Sequence, residues 1–299
     1  MHFVNVLNTS LLAARKFINV QHTQQKITPG KKTMIPYPSI DPEIVRIGPV
    51  AVRWYGVMYL IGFASSYFLV RRQIKERGMV LDREFIDSLY TALILGLIIG
   101  ARLGYVLFYD LSAYLNHPLD IFAVWKGGMS FHGGLVGSII AGVWRCRRSG
   151  ADPWIISDLV TVTAPIGIGM GRLGNFINGE LYGRVTTMPW GMVFPNGGPL
   201  PRHPSQLYEL ILEGVVLFTV LWSVKSRVRR SGSLTALFLI LYGCGRFIVE
   251  FFRAPDVQLG FVIGFFTMGQ VLSAGMALAG AGLLIARGKV RPALPAGLK

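Results

Sequence analysis

Apolar stretches long enough to cross a membrane recur along this chain and alternate with short polar segments. A helix of about 20 apolar residues spans the hydrocarbon core of a bilayer. We therefore expect an all-α integral membrane protein with about seven transmembrane helices. The predicted spans cover residues 54–70, 88–108, 130–144, 154–171, 209–224, 234–252 and 261–286.

The amino-acid composition agrees with a membrane fold. Hydrophobic residues make up 52% of the chain, charged residues make up 15%, and the mean hydropathy is +0.49, which is too apolar for an ordinary soluble domain. The 36 glycines suit close helix packing, and Gly96, Gly100 and Gly104 are spaced for a helix–helix contact. Cys146 and Cys244 lack metal-ligand spacing and are interpreted as structural.

Basic residues are distributed unevenly among the loops between the predicted spans. One alternating set, residues 71–87, 145–152, 225–233 and the tail 287–299, carries 16 Lys and Arg, whereas the loops of the other set carry 5. Lys and Arg accumulate on the cytoplasmic side of a membrane, so the C-terminus is predicted to be cytoplasmic and the region before Trp54 to lie outside. The net charge of +15 then reflects topology and attraction to anionic lipids, and no nucleic-acid partner is expected.

The first 33 residues differ in composition from the rest of the chain. They hold five Lys and Arg and no Asp or Glu. Such a leader is typical of a transit peptide, but it also arises when codons upstream of the true start, here Met34, are included. We expect residues 1–33 to be dispensable or a mis-assigned start, residues 34–286 to form the membrane body, and residues 287–299 to form a basic cytoplasmic tail.

Polar side chains from six of the predicted spans fall at one depth when this orientation is applied. Charged groups inside a membrane are costly and usually face a cavity or a substrate. We therefore predict a polar chamber at the outer leaflet. Asp158 and Glu213 lie deeper in their spans and are interpreted as structural. The residues that converge are Tyr55, Arg102, His132, Arg172, Glu209, Arg246 and Glu250.

Several of these residues also have a purely structural interpretation. Arg246 and Glu250 are spaced i, i+4 on a helix and could pair with each other. Arg102 could extend its charged end to the membrane surface, and His132 could be a packing residue. Pairing of Arg246 with Glu250 does not exclude a role in binding.

One glycine motif matches a nucleotide-binding pattern but lacks the context that the pattern requires. Gly169, Gly171 and Gly174 fit the dinucleotide fingerprint, which needs a preceding strand and a helix that begins after it. Here the glycines lie at the end of an apolar span. The sequence also lacks clustered metal ligands, so we expect neither a metal nor another cofactor.

The predicted chamber combines an anion site with a proton acceptor. Arginine presents a planar fork that matches phosphate oxygens, and phospholipid headgroups are the abundant anions at that depth. Histidine accepts protons near neutral pH, so this combination favours a transfer reaction at a lipid phosphate ester. A transporter or flippase for an anionic lipid is the alternative, although no inverted repeat is evident between the two halves. A structural scaffold leaves the converging polar groups unexplained.

Five sequence motifs resemble the signature of the prolipoprotein diacylglyceryl transferases. The resemblance extends from about Met34 to about residue 286, and the leader is the departure from it. The motifs are RWYGVMY at 53–59, SFHGGL at 130–135, GRLGNFINGELYGR at 171–184, HPSQLYE at 203–209 and GRFIVEFFRAPD at 245–256.

The resemblance implies a specific reaction and architecture. Members of this family move the diacylglyceryl group of phosphatidylglycerol onto the thiol of the lipobox cysteine in a bacterial preprolipoprotein, which forms a thioether and releases glycerol phosphate. Their fold is a seven-helix body in the inner membrane with a periplasmic head, expected here at residues 176–208. The implied partners are phosphatidylglycerol, lipobox signal peptides and membrane lipids, and the implied site faces the outer leaflet.

Matching positions of this chain imply roles for individual residues. Arg172 and Arg246 are expected to hold the phosphate while Asn175 donates a hydrogen bond to it, because donors aimed at the departing phosphate stabilise the transition state. The thiolate is the reactive form of cysteine, and His132 is the expected base that generates it. Tyr55 is expected to contact the headgroup or the thiol substrate.

Three further residues are expected to complete the phosphatidylglycerol site. Glu180 would orient an arginine, since a carboxylate placed directly at the phosphate would repel it. Glu250 would hold Arg246 in place. Gly183 would permit close approach of the backbone to the lipid.

Overall fold

The computed structural model describes residues 35–48, 50–254, 261–264 and 266–288. The predicted leader, residues 1–33, and most of the predicted tail lie outside the described residues. The chain forms two compact units. The described part of the smaller unit comprises residues 35–38 and 185–203, and the larger unit holds the other described residues.

The larger unit is mainly helical and begins with an antiparallel hairpin of β1 (Glu43–Ile47) and β2 (Val50–Arg53). A second hairpin, β3 (Phe261–Ile263) and β4 (Phe266–Thr267), precedes the last helix. Two 3₁₀ turns, Pro118–Phe122 and Val124–Lys126, lie in one of the loops. The helices are α1 (Trp54–Glu76), α2 (Arg83–Phe108), α3 (Leu111–Asn116), α4 (Phe131–Arg148), α5 (Pro153–Ile177), α6 (Ser205–Val224), α7 (Ser233–Val249) and α8 (Met268–Gly288).

Four of these helices, α2, α5, α6 and α8, are long and apolar enough to cross a membrane, and α7 is a shorter apolar helix. Each predicted span overlaps one helix, so the prediction of a helical membrane protein is confirmed. The predicted last span began at residue 261, but β3 (Phe261–Ile263) and β4 (Phe266–Thr267) precede the helix, which begins at Met268. The count of seven crossings stays a prediction.

Helix α5 is the central element of the larger unit. One apolar core joins it to α1, α2 and α4 through buried side chains such as Val70, Ile86 and Leu159. A second core joins it to α6 and α7 through Val162 and Leu221. Closer to Arg172, Gly169 packs against α6 and Gly174 packs against α1, so the end of α5 that carries Arg172 is also held from two sides.

Side-chain caps determine where α4 and α5 begin. Asp152 accepts a hydrogen bond from the backbone N–H of Trp154 at 2.8 Å, and Pro153 occupies the first helical position of α5, where its missing N–H costs nothing. Ser130 accepts from the N–H of Gly133 at 3.3 Å. The Ser130 cap fixes the first turn of α4 and with it His132.

Asp158, in the second turn of α5, caps the neighbouring helix α7. Its carboxylate oxygens accept from the N–H groups of Gly232 and Thr235, each at 2.8 Å, and Gly232 adopts the left-handed conformation at φ +84°. The first N–H groups of a helix have no hydrogen-bond acceptor within that helix, and the Asp158 carboxylate of α5 provides acceptors for them. The structural interpretation of Asp158 is confirmed.

Glycines let the helix backbones approach each other closely. A Cβ atom added to Gly104 would lie 2.8 Å from the Cα atom of Gly133, and one added to Gly100 would lie 2.8 Å from the Cα atom of Gly137. The predicted helix contact of Gly96, Gly100 and Gly104 is confirmed, and its partner is α4.

The smaller unit is organised around Arg202. Its backbone exchanges hydrogen bonds with Met192 at 2.8 and 2.9 Å, and its Nε donates to the carbonyl of Gly197 at 2.8 Å. The rings of Tyr37 and Phe194 pack 5.1 Å apart. This unit covers residues 185–203 of the head that was predicted at residues 176–208.

Candidate active site

Helices α5, α6 and α7 bring arginines and glutamates together at one end of the larger unit. Glu209, whose side chain is 1% exposed, forms ion pairs with three arginines. Its distances are 2.7 Å to Arg172 Nε, 2.6 Å to Arg246 Nη1 and 3.4 Å to Arg253 Nη1. The predicted convergence of Arg172, Glu209 and Arg246 is thus observed as direct ion pairs.

Glu213 lies one helical turn after Glu209 on α6, and its distances to Arg172 and Arg246 are longer than those of Glu209. Its carboxylate is 3.5 Å from Arg172 Nη2 and 3.8 Å from Arg246 Nη1. It belongs to a π-helical segment, Leu210–Val216, in the middle of α6, and such segments occur frequently at functional sites. Arg172, Glu209, Glu213, Arg246, Glu250 and Arg253 are called the arginine cluster below.

Glu250 completes the cluster from the end of α7. Its Oε2 lies 2.8 Å from Arg246 Nη2, and its Oε1 accepts from the hydroxyl of Thr267 at 3.0 Å. A Cβ atom on Gly269 would lie 2.7 Å from this carboxylate, so glycine leaves the room that Glu250 occupies. The i, i+4 pairing of Arg246 with Glu250 is confirmed.

Asn175 lies one turn after Arg172 on the same face of α5. Its amide donates to Glu180 Oε1 at 2.8 Å, and the amide of Asn178 donates to the same oxygen at 3.2 Å. Glu180 was expected to orient an arginine; in the structure the groups that it orients are these two amides. The next residue, Leu181, has φ +57°, an uncommon conformation for a residue with a side chain.

Tyr55, at the start of α1, lies against the same part of α5. A Cβ atom on Gly174 would lie 2.8 Å from the Tyr55 ring, so glycine permits this contact. The Tyr55 hydroxyl is 3.3 Å from that of Tyr59 and within electrostatic range of Glu180 and Arg172. Tyr55 therefore belongs to the surroundings of Arg172.

Gly183 ties the segment after α5 to the end of α7. It forms an antiparallel bridge with Arg253, and the N–H of Arg184 donates to the carbonyl of Phe252 at 2.8 Å. The bridge places the Gly183 backbone beside a member of the arginine cluster.

His132 lies on a different pair of helices. It is exposed in the first turn of α4, packs edge-on against Phe131 at 5.6 Å, and lines an apolar groove of about 1800 Å³ along α2 and α4. The ion pairs of the arginine cluster involve α5, α6, α7 and Arg253. The structure therefore brings Arg172, Arg246 and Glu250 together and leaves His132 in the groove of α2 and α4.

Arg102 is also separate from the cluster. It is 4% exposed and donates to the carbonyls of five residues in the following loop, while its guanidinium lies 5.0 Å from the ring centroid of Tyr114. Arg102 is therefore buried and stabilises the backbone of the loop that leads into α4. The carbonyls belong to Asp120, Ile121, Ala123, Gly127 and Gly128.

Three cluster neighbours were not predicted from the sequence. Glu213 follows Glu209 by four residues, and Tyr242, which lies close to Arg172, precedes Arg246 by four. A spacing of four residues places Glu213 on the same helix face as Glu209 and Tyr242 on the same face as Arg246. Helical periodicity could therefore have predicted both. Arg253 follows the end of α7, where no such periodicity applies.

The arginine cluster has the chemistry of an anion site. The side chains of Arg172 and Arg246 are 19% and 13% exposed, and ion pairs with carboxylates hold both guanidinium groups in position. Among the described residues, no group of His, Cys, Asp and Glu is arranged to hold a metal ion.

Comparison with known proteins gives one consistent match. The sequence model of the prolipoprotein diacylglyceryl transferases matches residues 42–286. The phosphatidylglycerol–prolipoprotein diacylglyceryl transferase of Desulfotalea psychrophila is 55% identical over 249 residues, which cover 81% of this chain and 92% of that protein.

Two other relatives carry the same name. The protein of Geobacter sulfurreducens is 53% identical over 258 residues, covering 86% of this chain and 99% of its own length. The protein of Vibrio vulnificus is 51% identical over 251 residues, covering 84% of this chain and 92% of its own length.

Proposed function

The chain belongs to the prolipoprotein diacylglyceryl transferase family, and we propose that its arginine cluster holds the phosphate of the donor lipid. The chain is a membrane transferase that moves the diacylglyceryl group of phosphatidylglycerol to a prolipoprotein, the activity that its relatives' names state. The proposal concerns how its residues perform that transfer.

The acceptor in this proposal is the thiol of a lipobox cysteine. Its sulfur forms a bond with the terminal glycerol carbon of the diacylglyceryl group, and the bond between that carbon and the phosphate oxygen breaks. Glycerol phosphate leaves and takes the bonding electron pair, while the thiol proton passes to a base. The departing phosphate gains negative charge, so cationic donors aimed at it lower the barrier.

The partial exposure of Arg172 and Arg246, at 19% and 13% of their side chains, supports the phosphate role. Glu209 forms ion pairs with both guanidinium groups, at 2.7 and 2.6 Å, and holds them in place. Donors that are already held in place need little reorganisation when charge develops on the phosphate. This arrangement is the single observation that carries the proposal.

Neighbouring residues would complete the lipid site. Asn175 would donate to the phosphate, with its amide aligned by Glu180, and Tyr55 would contact the headgroup or the thiol substrate. Gly183 would let the lipid approach the backbone beside Arg253. Glu250 would keep Arg246 aligned, a role supported by their 2.8 Å ion pair.

His132 is the proposed base for the thiol. Its exposure in the first turn of α4 and its position at the groove of α2 and α4 support access from the membrane. A helical signal peptide that carries its cysteine at the outer end would approach from that direction. No metal or other cofactor enters the proposed mechanism.

The proposed setting is the inner membrane of a bacterium, crossed by seven helices with a periplasmic head. The bias of 16 against 5 basic residues between alternate loops supports a cytoplasmic C-terminus and a site at the outer leaflet. The four long apolar helices support a chain that crosses the membrane several times.

A transfer assay tests the proposed function. Purified protein in detergent is mixed with phosphatidylglycerol and a lipobox peptide, and the mass of the peptide is followed. A gain of one diacylglyceryl unit is expected, and a peptide with serine in place of cysteine should show none. Folded protein that binds the lipid without modifying the peptide would contradict the proposal and favour lipid transport.

A further inference from the structure

Glu213 is the member of the arginine cluster with the poorest hydrogen bonding. It is fully buried, and within the described residues neither of its carboxylate oxygens has a hydrogen-bond partner. Its nearest cationic atoms, on Arg172 and Arg246, are 3.5 and 3.8 Å away. A buried ionised carboxylate without hydrogen bonds is costly, so Glu213 is the carboxylate that accepts a proton most readily.

The charge balance of the cluster gives a reason for Glu213 to take up a proton when a lipid binds. Over the described residues, the cluster holds three guanidinium groups and three carboxylates, so its net charge is zero when every group is ionised. A phosphodiester adds one negative charge to this largely buried site. Protonation of one carboxylate restores neutrality and frees guanidinium donors for the lipid.

The other two carboxylates of the cluster have closer partners than Glu213. Glu209 makes ion pairs at 2.6 and 2.7 Å with Arg246 and Arg172, and Glu250 has an ion pair and a hydroxyl donor. Charge-assisted contacts of this length are the strong ones. Glu213 has no contact of comparable length among the described residues.

The groups that face Glu213 come from every element packed against it. Arg172 faces it from α5, Glu209 from its own helix, and Tyr242 and Arg246 from α7, with Arg253 beyond the end of α7. The π-helical segment that contains Glu213 packs closely on α5, where a Cβ atom on Gly214 would lie 3.0 Å from the Cα atom of Gly169. This packing limits how far Glu213 can move away from the arginines.

We propose that Glu213 takes up a proton when the anionic lipid binds to the arginine cluster and releases it when glycerol phosphate departs. The inference rests on the proposed function, because it assumes that the phosphate binds at Arg172 and Arg246. Glu213 is a positioning residue in this scheme: its protonation state sets the charge and the available donors of the two arginines. The proton comes from water, and no covalent bond to Glu213 is formed.

Calorimetry measures this proton directly. Wild-type protein in detergent is titrated with short-chain phosphatidylglycerol in two buffers of the same pH and different ionisation enthalpy, which gives the number of protons taken up per lipid bound. We expect uptake of up to one proton in the wild type and none in Glu213→Gln, which resembles the protonated form. Glu84→Gln, at an exposed glutamate in the first turn of α2 outside the arginine cluster, is the control and should retain the wild-type uptake.

Two results would overturn the inference. One is lipid binding by the wild type without proton uptake, and the other is unchanged uptake in Glu213→Gln. If the variant does not fold, infrared difference spectra of the wild type decide the question, since lipid binding should add the stretching band of a protonated carboxyl group and its absence would overturn the role of Glu213. Failure of the wild type to bind the lipid at all would instead contradict the proposed function.

Discussion

The α2–α4 pair and the α5–α6–α7 group each carry arginine near a helix end, and the two regions use it in opposite ways. Arg102 is 4% exposed and donates to backbone carbonyls of one loop. Arg172 and Arg246 pair with carboxylates and keep 19% and 13% of their side chains exposed. Both sites fit the rule that charges in a membrane are costly, yet only the second has the properties of a binding site.

The difference lies in what the partners can do. A loop carbonyl cannot change its charge, and the donors of Arg102 are fully used in holding residues 120–128. A carboxylate can take a proton or exchange its arginine with an incoming anion. We therefore interpret Arg102 as structural and the arginine cluster as functional.

The largest expected effect is on transfer when a cluster arginine is removed. Arg172→Ala or Arg246→Ala should lower the transfer rate by roughly 100-fold or more, the usual cost of losing a donor at developing negative charge. The rate is measured with purified protein and normalised to the folded fraction. Arg71→Ala, on the surface of α1, should leave the rate unchanged, and near-normal transfer in both cluster variants would exclude the phosphate role.

Removal of Arg102 should act on stability. Arg102→Ala leaves several buried carbonyls without donors, which should lower the free energy of unfolding by about 3 kcal/mol. Thermal unfolding in detergent measures this loss. Transfer per folded molecule should fall much less than in Arg246→Ala, and an equal fall at unchanged stability would place Arg102 in the site.

The next largest expected effect is a loss of stability when the glycine contact between α2 and α4 is changed. In Gly100→Ala the new Cβ would lie 2.8 Å from the Cα atom of Gly137, and such overpacking costs about 1–3 kcal/mol. Gly275→Ala in α8 is the control, because no atom lies within 4 Å of its added Cβ. Thermal unfolding should show that Gly100→Ala is less stable than Gly275→Ala. Equal stability of the two variants would contradict the close packing of α2 on α4.

The smallest expected effect concerns His132 and depends on pH. A thiol with its ordinary pKa of about 8.5 supplies little thiolate at low pH, so a base matters most there. His132→Gln should lower transfer by about tenfold at pH 6, which corresponds to about 1.4 kcal/mol of barrier, and by little at pH 9. A pH–rate profile identical to the wild type would remove His132 from the mechanism.

Much of the fold and part of the site could be predicted from the sequence, because spans and helical spacing are local signals. The meeting of Arg172, Glu209 and Arg246 followed from their common depth, and the Arg246–Glu250 pair followed from i, i+4 spacing. Glu213 was interpreted as structural because it lies deeper in its span, and depth alone does not show which arginines face it.

Other features depend on contacts that a linear sequence does not encode. The partners of Arg102 are carbonyls up to 26 residues away, and carbonyls are present at every position of the chain. The π-helical turn of α6 packs closely against α5, and no local signal in the sequence predicts it. The placement of His132 in the groove of α2 and α4 likewise required the packing of those helices.

The most direct test compares two arginine-to-lysine variants in the transfer assay. Lysine keeps the charge and loses the planar fork, so Arg246→Lys should lose transfer per folded molecule by roughly 100-fold. Arg102→Lys should retain transfer within about tenfold while losing stability. If Arg246→Lys transferred normally and Arg102→Lys did not, the cluster would not be the phosphate site and the account would be wrong.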